Sequence, residues 1–373
     1  MPAEVPIALL PGDGIGPEVI RESVKVLQAA ARTSGFSVAC TELPIGGAAI
    51  EARGVPLPEE TLRGCQAADA VLLGAVGGPA WDHLPGSARP EAGLLQLRRA
   101  LGVFANLRPV RVLPVLAALS PLRAEIAAPT DLLIVRELIG GVYFGQPRGR
   151  TTDGAVDTMR YTAGEIARVV RVACTLARQR RGRVTSVDKA NVLETSRLWR
   201  ETMDGVAREF PDVAVEHMLV DNCALQLMRN PGQFDVIVTE NMFGDILSDE
   251  AGAITGSIGM LPSASIGDRP PFLYEPVHGS APTLAGKGAA NPVGAILSVA
   301  LLVRHSLGRV EASRVIEMAV EEVLADGVRP RDLGGQASTV EVGDRVAEKV
   351  MQMARSRSRD STTMRASHLS KET

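Results

Sequence analysis

Short apolar runs alternate along this chain with longer segments of helical periodicity. Residues 7–10 form the first run, which leads through a glycine turn into a helical segment at residues 18–31. Pro17 stands where proline is well tolerated, at the start of that segment. Residues 70–73 repeat the apolar run. Strands that alternate with helices in this way predict an α/β fold.

The first glycine turn, residues 11–17 (PGDGIGP), does not meet the dinucleotide-binding motif of a Rossmann fold. Its glycines are spaced GxGxG, and Pro17 stands where the motif needs its last spacing. As a tight turn between a strand and a helix it requires no function. A second glycine loop, residues 74–78, follows a buried strand at the end where open α/β sheets place ligands.

The size and composition of the chain limit the kinds of protein it can be. Its 373 residues exceed what a single hydrophobic core usually supports, so we expect two domains, or one with a large insertion. Apolar residues make up 45%, charged residues 22%, and the formal net charge is −3. This profile carries no bulk signal for nucleic acid or an anionic membrane, and the expected partner is a small molecule.

The four cysteines are widely scattered and form no CxxC pair, so we expect reduced, structural thiols. Residues 1–10 lack the features of a secretory signal. The longest apolar run, residues 293–303, is too short to span a bilayer. A cytoplasmic protein is therefore expected.

Residues 230–268 contain no Lys, Arg or His, although six acidic side chains lie there. Asp245 and Asp249 are four residues apart on a predicted helix, where two like charges destabilise it by about 0.2–0.5 kcal/mol. The missing positive charge must come from elsewhere in the fold, from a partner chain or from a bound cation. Carboxylates without His or Cys favour Mg²⁺ or Mn²⁺, while a solvated acidic helix face is the simpler alternative.

A helical segment that begins at residue 89 places Glu91, Leu94, Leu95 and Arg98 on one face. This face is either a partly apolar pocket wall or part of an ordinary helix, with both leucines in the core and Arg98 at the surface. Arg108 precedes a proline, which predicts an extended conformation there.

Residues 136–145 follow an apolar strand, and their glycines predict a hairpin or a bulge. Arg136 and Tyr143 are predicted to point into one cleft. Farther along, Thr162 and Glu165 have the spacing of a capping box at the start of a helix.

Lys189 follows a predicted strand and is the only lysine between Lys25 and Lys287, in a chain that otherwise uses arginine there. Such a position suits an amine whose pKa can shift. Asp221 is a further carboxylate at a predicted strand end. The loop at residues 275–292 is rich in backbone N–H donors and ends on a proline at a helix start, which suits an anionic ligand.

Taken together, these segments resemble the β-decarboxylating dehydrogenases, the family of 3-isopropylmalate and isocitrate dehydrogenases, over residues 5–350. The resemblance implies an α/β fold of two domains, non-Rossmann, with a mixed sheet flanked by helices. It places the first domain at residues 1–104 and 256–355 and the second at residues 105–255, and we expect residues 356–373 to be a disordered tail. The motifs, similar to the isopropylmalate branch throughout, are GDGIGPE, RPEAGLLQLR, FANLRP, RELIGGVYFG, DKANVLETSRLWR, VDNCALQLMRNPGQFDVIVTENMFGDILSDEAG and EPVHGSAPTLAGKGAANP.

The resemblance assigns roles to individual side chains, with three arginines as a clamp for the two carboxylates of a malate. The assigned residues are Tyr143 and Lys189 for catalysis; Arg98, Arg108, Arg136, Asp221, Glu91, Leu94 and Leu95 for the substrate; Asp221, Asp245 and Asp249 for Mg²⁺ or Mn²⁺; and Gly12, Ile15, Glu275, His278, Gly279, Ser280, Ala281, Pro282, Thr283 and Asn291 for NAD.

The implied reaction is the oxidation of (2R,3S)-3-isopropylmalate with hydride transfer to NAD, then loss of CO₂ to give 4-methyl-2-oxopentanoate in leucine biosynthesis. Lys189, its pKa lowered by surrounding cations, would take the hydroxyl proton, and Tyr143 would protonate the enol carbon. In the family Lys189 and Asp221 reach the site from the other subunit, which implies a homodimer. Leu94 and Leu95 favour an apolar substituent over the extra carboxylate of isocitrate.

One position departs from the pattern of the family. NAD-preferring members carry Asp where this chain has Thr283. A carboxylate there accepts hydrogen bonds from the ribose and repels a 2′-phosphate, whereas a threonine repels nothing. We therefore expect NAD with weakened discrimination against NADP.

Three other hypotheses remain open at this point. The chain could act on another malate, such as homoisocitrate or tartrate, although Leu94 and Leu95 argue against it. It could be a catalytically silent regulatory subunit, although Lys189, Tyr143 and the aspartates are present. Without the resemblance, a Mg²⁺-dependent phosphotransferase would also fit, but the chain lacks a Walker A loop.

Overall fold

The computed structural model describes the backbone of residues 4–369 and the side chains of residues 4–355. Its contacts divide the chain into two compact units, and both ends of the chain contribute to one of them. The first unit is Met1–Leu94 with Tyr274–Thr373, and the second is Leu95–Leu273. The domain boundaries expected from the sequence, 1–104 with 256–355 and 105–255, differ from the boundaries of these two units. The expected domains stay a prediction.

The described residues contain twelve strands and twelve α-helices. The strands are β1 (Val5–Gly12), β2 (Val38–Glu42), β3 (Ala70–Ala75), β4 (Ala105–Arg111), β5 (Asp131–Glu137), β6 (Gly149–Arg150), β7 (Ala155–Val156), β8 (Arg183–Asp188), β9 (Ala214–Leu219), β10 (Val236–Thr239), β11 (Pro262–Ile266) and β12 (Phe272–Pro276). The helices are α1 (Gly16–Ser34), α2 (Gly46–Arg53), α3 (Glu59–Ala67), α4 (Pro90–Leu101), α5 (Ala124–Ala127), α6 (Ala163–Arg178), α7 (Glu194–Ala207), α8 (Val220–Arg229), α9 (Asn241–Ala253), α10 (Val293–His305), α11 (Val310–Ala325) and α12 (Thr339–Leu369).

In the first unit β1 lies between β2 and β3 and is parallel to both. Every residue of β3 is buried, as expected for a parallel strand that is covered on both faces. Helices α1, α10, α11 and α12 pack on one another. Leu27 of α1 and Ile296 of α10 are fully buried, so these helices supply much of the core of this unit.

The second unit contains a mixed sheet in the order β11-β4-β5-β10-β8-β9. Strand β4 is antiparallel to both of its neighbours, whereas β5, β10, β8 and β9 run parallel. Helix α6 packs against β5, β8 and β10, and α9 packs against β4, β5 and β10. The fold is therefore α/β with a mixed sheet flanked by helices, as the sequence predicts.

Several local predictions are confirmed. Helix α6 begins with a capping box, in which the Thr162 hydroxyl accepts from the backbone of Glu165 and the Glu165 carboxylate accepts from the backbone of Thr162. The expected acidic helix is α9. Pro17 lies in the first turn of α1.

The hairpin or bulge predicted at residues 136–145 is wrong. After β5 the chain makes a single 3-10 turn, Gly141–Tyr143, and Gly141 has a φ of 73°. Glycine favours hairpins, bulges and left-handed turns alike, so composition could not separate them. Asp221, predicted at a strand end, lies in the first turn of α8.

The backbone of α12 is helical to Leu369, although the sequence predicts an irregular tail from residue 356. That stretch has no Gly or Pro to end a helix. Its side chains and residues 370–373 lie outside the described part of the chain, and the disordered tail stays a prediction. None of the helices within the described residues is long and apolar enough to cross a membrane.

Candidate active site

The register of three neighbouring strands lines up the polar side chains of the candidate site. Asn106 of β4 lies opposite Arg136 of β5 on one side and opposite Ser265 of β11 on the other. Residues that pair directly across antiparallel strands point to the same face of a sheet, and so do residues two apart on one strand. Arg108 therefore shares this face with Asn106 and Arg136.

Helix α9 brings Asp245 and Asp249 to these arginines. The Nη1 of Arg136 donates to Oδ1 of Asp245, and Nη2 of Arg108 lies 3.3 Å from the same oxygen. The Nη1 of Arg108 lies 3.3 Å from Oδ1 of Asp249 and donates to Oγ of Ser248 at 2.6 Å. Positive charge for this acidic helix thus comes from elsewhere in the fold, the first of the three sources considered from the sequence.

The arginines control the protonation of Asp245. Burial alone would raise the pKa of Asp245, but the charges of Arg136, Arg108 and Arg98 and the hydrogen bond from Tyr143 together hold it below its ordinary value. Burial, with repulsion from Arg108, lowers the pKa of Arg136 to about 10. At neutral pH the cluster therefore pairs the ionised Asp245 carboxylate with charged guanidiniums.

Tyr143 lies on the 3-10 turn after β5 and joins the same cluster. Its hydroxyl donates to Oδ2 of Asp245 at 3.0 Å, and the guanidinium carbon of Arg136 lies 5.7 Å from the centre of its ring. Burial, followed by the negative charge of Asp245, raises the pKa of Tyr143. The phenol therefore keeps its proton at neutral pH and is a potential acid.

A buried glutamate supports the turn that carries Tyr143. The two oxygens of Glu137 accept from the backbone of Ile139 at 3.1 Å and of Gly140 at 2.8 Å. Burial raises the pKa of Glu137 to about 7, against the opposing effect of those hydrogen bonds and of Arg168. Tyr161 packs so closely on the turn that a Cβ at Gly140 would lie 2.5 Å from its ring.

In helix α4 the burial of the side chains is the reverse of an ordinary core arrangement. Arg98 is buried, with 8% of its surface exposed, whereas Leu94 and Leu95 are only partly buried and Glu91 is exposed. The arrangement with both leucines in the core and Arg98 at the surface is therefore wrong for this helix, and the pocket wall stays a prediction.

Lys189 and Asp221 form a separate pair in this chain. The Lys189 amine donates to Oδ1 of Asp221 at 2.5 Å, and the side chain of Lys189 is partly exposed while that of Asp221 is exposed. Within the described residues no group of three His, Cys, Asp or Glu side chains is placed to hold a metal ion, so Asp221 does not join Asp245 and Asp249.

The carboxylate oxygens of Asp245 and Asp249 nevertheless suit a hard divalent cation, provided that a further carboxylate joins them. Asp245 and Asp249 lie one helical turn apart, and the side chains are 35% and 58% exposed, so their oxygens are accessible. Oxygen-only ligation suits Mg²⁺ or Mn²⁺.

In the first unit the glycine turn before α1 packs against the loop at residues 278–283. The backbone N–H of Ile15 donates to the Ser280 carbonyl at 2.8 Å, and Gly14, with a φ of 59°, leaves no room for a side chain because a Cβ would lie 2.0 Å from that carbonyl. Ala281 also has a positive φ, 39°, a strained conformation of the kind that clusters at binding sites. The remaining predicted cofactor residues of this unit are Gly12, Glu275, Gly279, Pro282, Thr283 and Asn291.

His278 supplies an observation that fits a bound cofactor. Its Nδ1 lies 2.9 Å from the Gly279 carbonyl, and because a carbonyl only accepts, Nδ1 carries the proton. Burial lowers the pKa of His278 and keeps the ring neutral. Its Nε2 is buried without a hydrogen-bond partner among the described residues, so it is an acceptor that a ligand can satisfy.

Sequence reasoning missed three residues that organise these sites. The Asp13 carboxylate accepts from the backbones of Gly47, Ala48 and Gly77, each at 2.8 Å, and so joins the first turn of α2 and the loop after β3 to the glycine turn. Asn106 and Asn241 each accept from one of the arginines. The only signal in the sequence was the position of Asn106 two residues before Arg108, on the same strand face.

Known structures share this fold over most of their length. An isocitrate dehydrogenase from Methylococcus capsulatus is 34% identical with a TM-score of 0.82, and the match covers 93% of this chain and 99% of that one. A β-decarboxylating dehydrogenase from Thermococcus kodakarensis is 38% identical with a TM-score of 0.78, covering 93% and 96%. Fold and site together define a dehydrogenase that acts on a small molecule.

Proteins with similar sequences belong to the same class of dehydrogenase. A protein from Anaeromyxobacter dehalogenans named 3-isopropylmalate dehydrogenase is 57% identical over 348 residues, 92% of this chain and 99% of its own. One of the same name from Shouchella clausii is 60% identical over 334 residues, 88% and 92%. The family model for isocitrate/isopropylmalate dehydrogenases matches residues 6–346. The chain belongs to the isocitrate/isopropylmalate dehydrogenase family, a family of metal-dependent decarboxylating dehydrogenases.

Proposed function

We propose that this protein oxidises (2R,3S)-3-isopropylmalate and decarboxylates the product to 4-methyl-2-oxopentanoate, with NAD as oxidant and Mg²⁺ or Mn²⁺ as metal, in leucine biosynthesis. The observation that carries the proposal is the cluster of Arg108, Arg136, Tyr143 and Asp245 on one face of the second unit. The names of the relatives supply the substrate.

The arginines bind and orient the substrate. Arg98, Arg108 and Arg136 are buried and their guanidiniums act on the same carboxylate, Asp245. A guanidinium fixes the orientation of a carboxylate as well as its charge, because it can donate two parallel hydrogen bonds. Three such groups suit the two carboxylates of a malate.

Asp245 and Asp249 would hold the metal, with Asp221 supplied by a second copy of the chain. When bound, the cation makes the substrate hydroxyl more acidic and stabilises negative charge on the oxygens of the substrate. Asp245 suits metal binding because the neighbouring arginines keep its pKa low and its carboxylate ionised.

Two side chains move the protons of the reaction. The Lys189 amine would take the proton of the substrate hydroxyl, and a bound nicotinamide would supply the hydride acceptor for the carbon that carries this hydroxyl. The bond to the β-carboxylate then breaks, CO₂ leaves, and the electron pair of that bond stays on the substrate as an enolate. Tyr143 gives its phenolic proton to the enol carbon, and the raised pKa of Tyr143 keeps that proton in place until then.

The wall formed by Glu91, Leu94 and Leu95 selects the substrate. The partly exposed leucines offer apolar surface for an isopropyl group and no partner for the extra carboxylate of isocitrate. A misfit of one methylene in such a pocket changes discrimination by about 1–3 kcal/mol.

NAD, which accepts the hydride, would lie on the glycine turn of the first unit, with His278 Nε2 as an acceptor for it. Thr283 is exposed and uncharged, and the loop from Pro276 to Pro292 contains no carboxylate, so we propose weak discrimination against NADP.

We further propose a homodimer in which each subunit completes the other's site. Leu225 of α8 and Ile246 of α9 expose 52% and 59% of their surface on two helices that pack together. Exposed apolar side chains on neighbouring helices are typical of a subunit interface. Lys189 and Asp221 are the residues that the second copy would contribute. A cytoplasmic location would suit the four free cysteines.

The experiment that tests the function follows the absorbance of reduced nicotinamide with purified protein, 3-isopropylmalate and Mg²⁺, separately with NAD and NADP. We expect reduction of NAD that EDTA abolishes and added Mg²⁺ or Mn²⁺ restores. Turnover of another malate, but not of isopropylmalate, would contradict the role of Leu94 and Leu95. Inactivity with every malate in the presence of metal would favour a silent regulatory subunit.

A further inference from the structure

The Nε atoms of Arg108 and Arg136 donate hydrogen bonds to neutral asparagine side chains. Oδ1 of Asn106 accepts from Nε of Arg108 at 2.7 Å. Oδ1 of Asn241 accepts from both Nε and Nη2 of Arg136, at 3.1 and 2.7 Å. Both asparagines are fully buried, so these bonds are shielded from water.

The orientation of each amide is fixed from its other end. Nδ2 of Asn106 donates to Oγ of Ser265 at 3.0 Å, and Nδ2 of Asn241 donates to the Gly140 carbonyl at 3.2 Å. A guanidinium has only donors, so the amide oxygen must face it. Each asparagine therefore presents one acceptor in one direction and cannot usefully flip.

The choice of an amide matters because of charge. A carboxylate on Nε would bind more strongly, but it would also neutralise the guanidinium on which the substrate depends. An amide orients the guanidinium and leaves its charge unchanged. Ser248, which accepts from Arg108 at 2.6 Å, is neutral as well. The carboxylates near Arg108, Asp245 and Asp249, lie on its terminal nitrogens.

We propose that Asn106 and Asn241 are positioning residues whose neutral amides orient Arg108 and Arg136 while leaving their charge available to the carboxylates of an acidic substrate. The inference rests on the proposed function for the identity of that substrate. The hydrogen bonds that carry it lie among residues of the second unit.

Asn106→Asp is the sharper test of the two positions. The replacement is nearly isosteric, and the Ser265 hydroxyl can turn and donate to the new carboxylate. At position 241 a carboxylate would instead face the Gly140 carbonyl, which has no proton to give, so repulsion would confuse the result. Asn106→Ala removes the acceptor without adding charge, and Asn230→Asp adds the same charge at an exposed site.

Steady-state kinetics with 3-isopropylmalate separates charge from orientation. For Asn106→Asp we expect KM to rise at least tenfold with a smaller change in kcat, because Arg108 stays in place but is neutralised. For Asn106→Ala we expect mainly a fall in kcat, because the charge remains but its orientation is lost. Asn230→Asp should behave as wild type. A KM within twofold of wild type in Asn106→Asp would refute the charge argument, and unchanged kinetics in Asn106→Ala would refute positioning.

Binding of malate provides a readout that does not need turnover. We expect malate to raise the Tm of wild type and of Asn230→Asp, and to raise that of Asn106→Asp much less. If wild type binds malate but turns over no malate, the proposed function is wrong. The comparison of Tm shifts between wild type and the variants still tests the inference in that case. Equal Tm shifts in wild type and in a folded Asn106→Asp would overturn the inference. If Asn106→Asp does not fold, the kinetics of Asn106→Ala decide whether Asn106 positions Arg108.

Discussion

Replacing Glu137 with glutamine should remove much of the pH dependence of stability in the second unit. Glu137 is fully buried, and its folded pKa is raised from 4.5 to about 7. Below pH 4.5 both the folded and the unfolded states hold the proton, and the group has no effect. Between pH 4.5 and 7 only the unfolded state ionises, so the free energy of unfolding falls as pH rises.

The size of this effect follows from the shift. A difference of 7 minus 4.5 is 2.5 units, and at 1.36 kcal/mol per unit it lowers the free energy of unfolding by about 3 kcal/mol above pH 7. Glutamine cannot ionise. It accepts only one of the N–H groups of Ile139 and Gly140, and the lost hydrogen bond costs about 1–3 kcal/mol at every pH.

Urea unfolding from pH 4.5 to 8, at one protein concentration, measures the difference between wild type and Glu137→Gln. This difference should shift in favour of the variant by about 3 kcal/mol across the range, while the lost hydrogen bond adds a constant offset. Other buried acids titrate in both proteins, so their contributions to the free energy of unfolding cancel in the difference. Glu42→Gln, on an exposed edge strand, is the control and should run parallel to wild type. Parallel curves for Glu137→Gln as well would refute the reasoning.

Four further changes test the candidate sites. Tyr143→Phe should lower kcat about 10²–10⁴-fold with little change in the KM for isopropylmalate, because only the proton donor is lost. Asp249→Asn should raise the Mg²⁺ concentration needed for half-maximal rate by about 100-fold or more while Tm changes little, because its side chain is 58% exposed; an unchanged Mg²⁺ titration would remove it from the metal site. Gly14→Ala should lower Tm and raise the KM for NAD, because the new Cβ meets the Ser280 carbonyl; normal values for both would contradict the close packing. Thr283→Asp should shift relative binding, measured by fluorescence titration with NADH and NADPH, at least tenfold toward NADH, and an unchanged ratio would place the 2′-phosphate elsewhere.

Features set by neighbouring residues were predictable from the sequence. The capping box of Thr162 and Glu165 and the shared face of Asp245 and Asp249 depend on helical spacing alone, and both are present. The alternation of strands and helices predicted the α/β class for the same reason. The turn after β5 was not predictable in detail, because its glycines permit several conformations of similar energy.

The burial of α4 shows why local pattern was insufficient. From spacing alone, Leu94 and Leu95 were at least as good candidates for the core as for a pocket, and Arg98 for the surface. Which face of a helix is covered depends on what packs against it, and here Arg98 is covered while the leucines remain partly exposed.

By itself the sequence determined which residues share a helix face, where helices begin and which side chains have the chemistry for a metal, a dianion or a proton transfer. Only the tertiary structure decided how the acidic helix is neutralised. The pairing of β4 with β5 puts Arg108 and Arg136 beside Asp245, and the pairing of β4 with β11 puts Ser265 beside Asn106. These contacts join residues more than a hundred positions apart in some cases. Spacing along a chain specifies which side chains share an element, but strand register and packing decide which charges meet, because electrostatic and hydrogen-bond energies depend on distances in space.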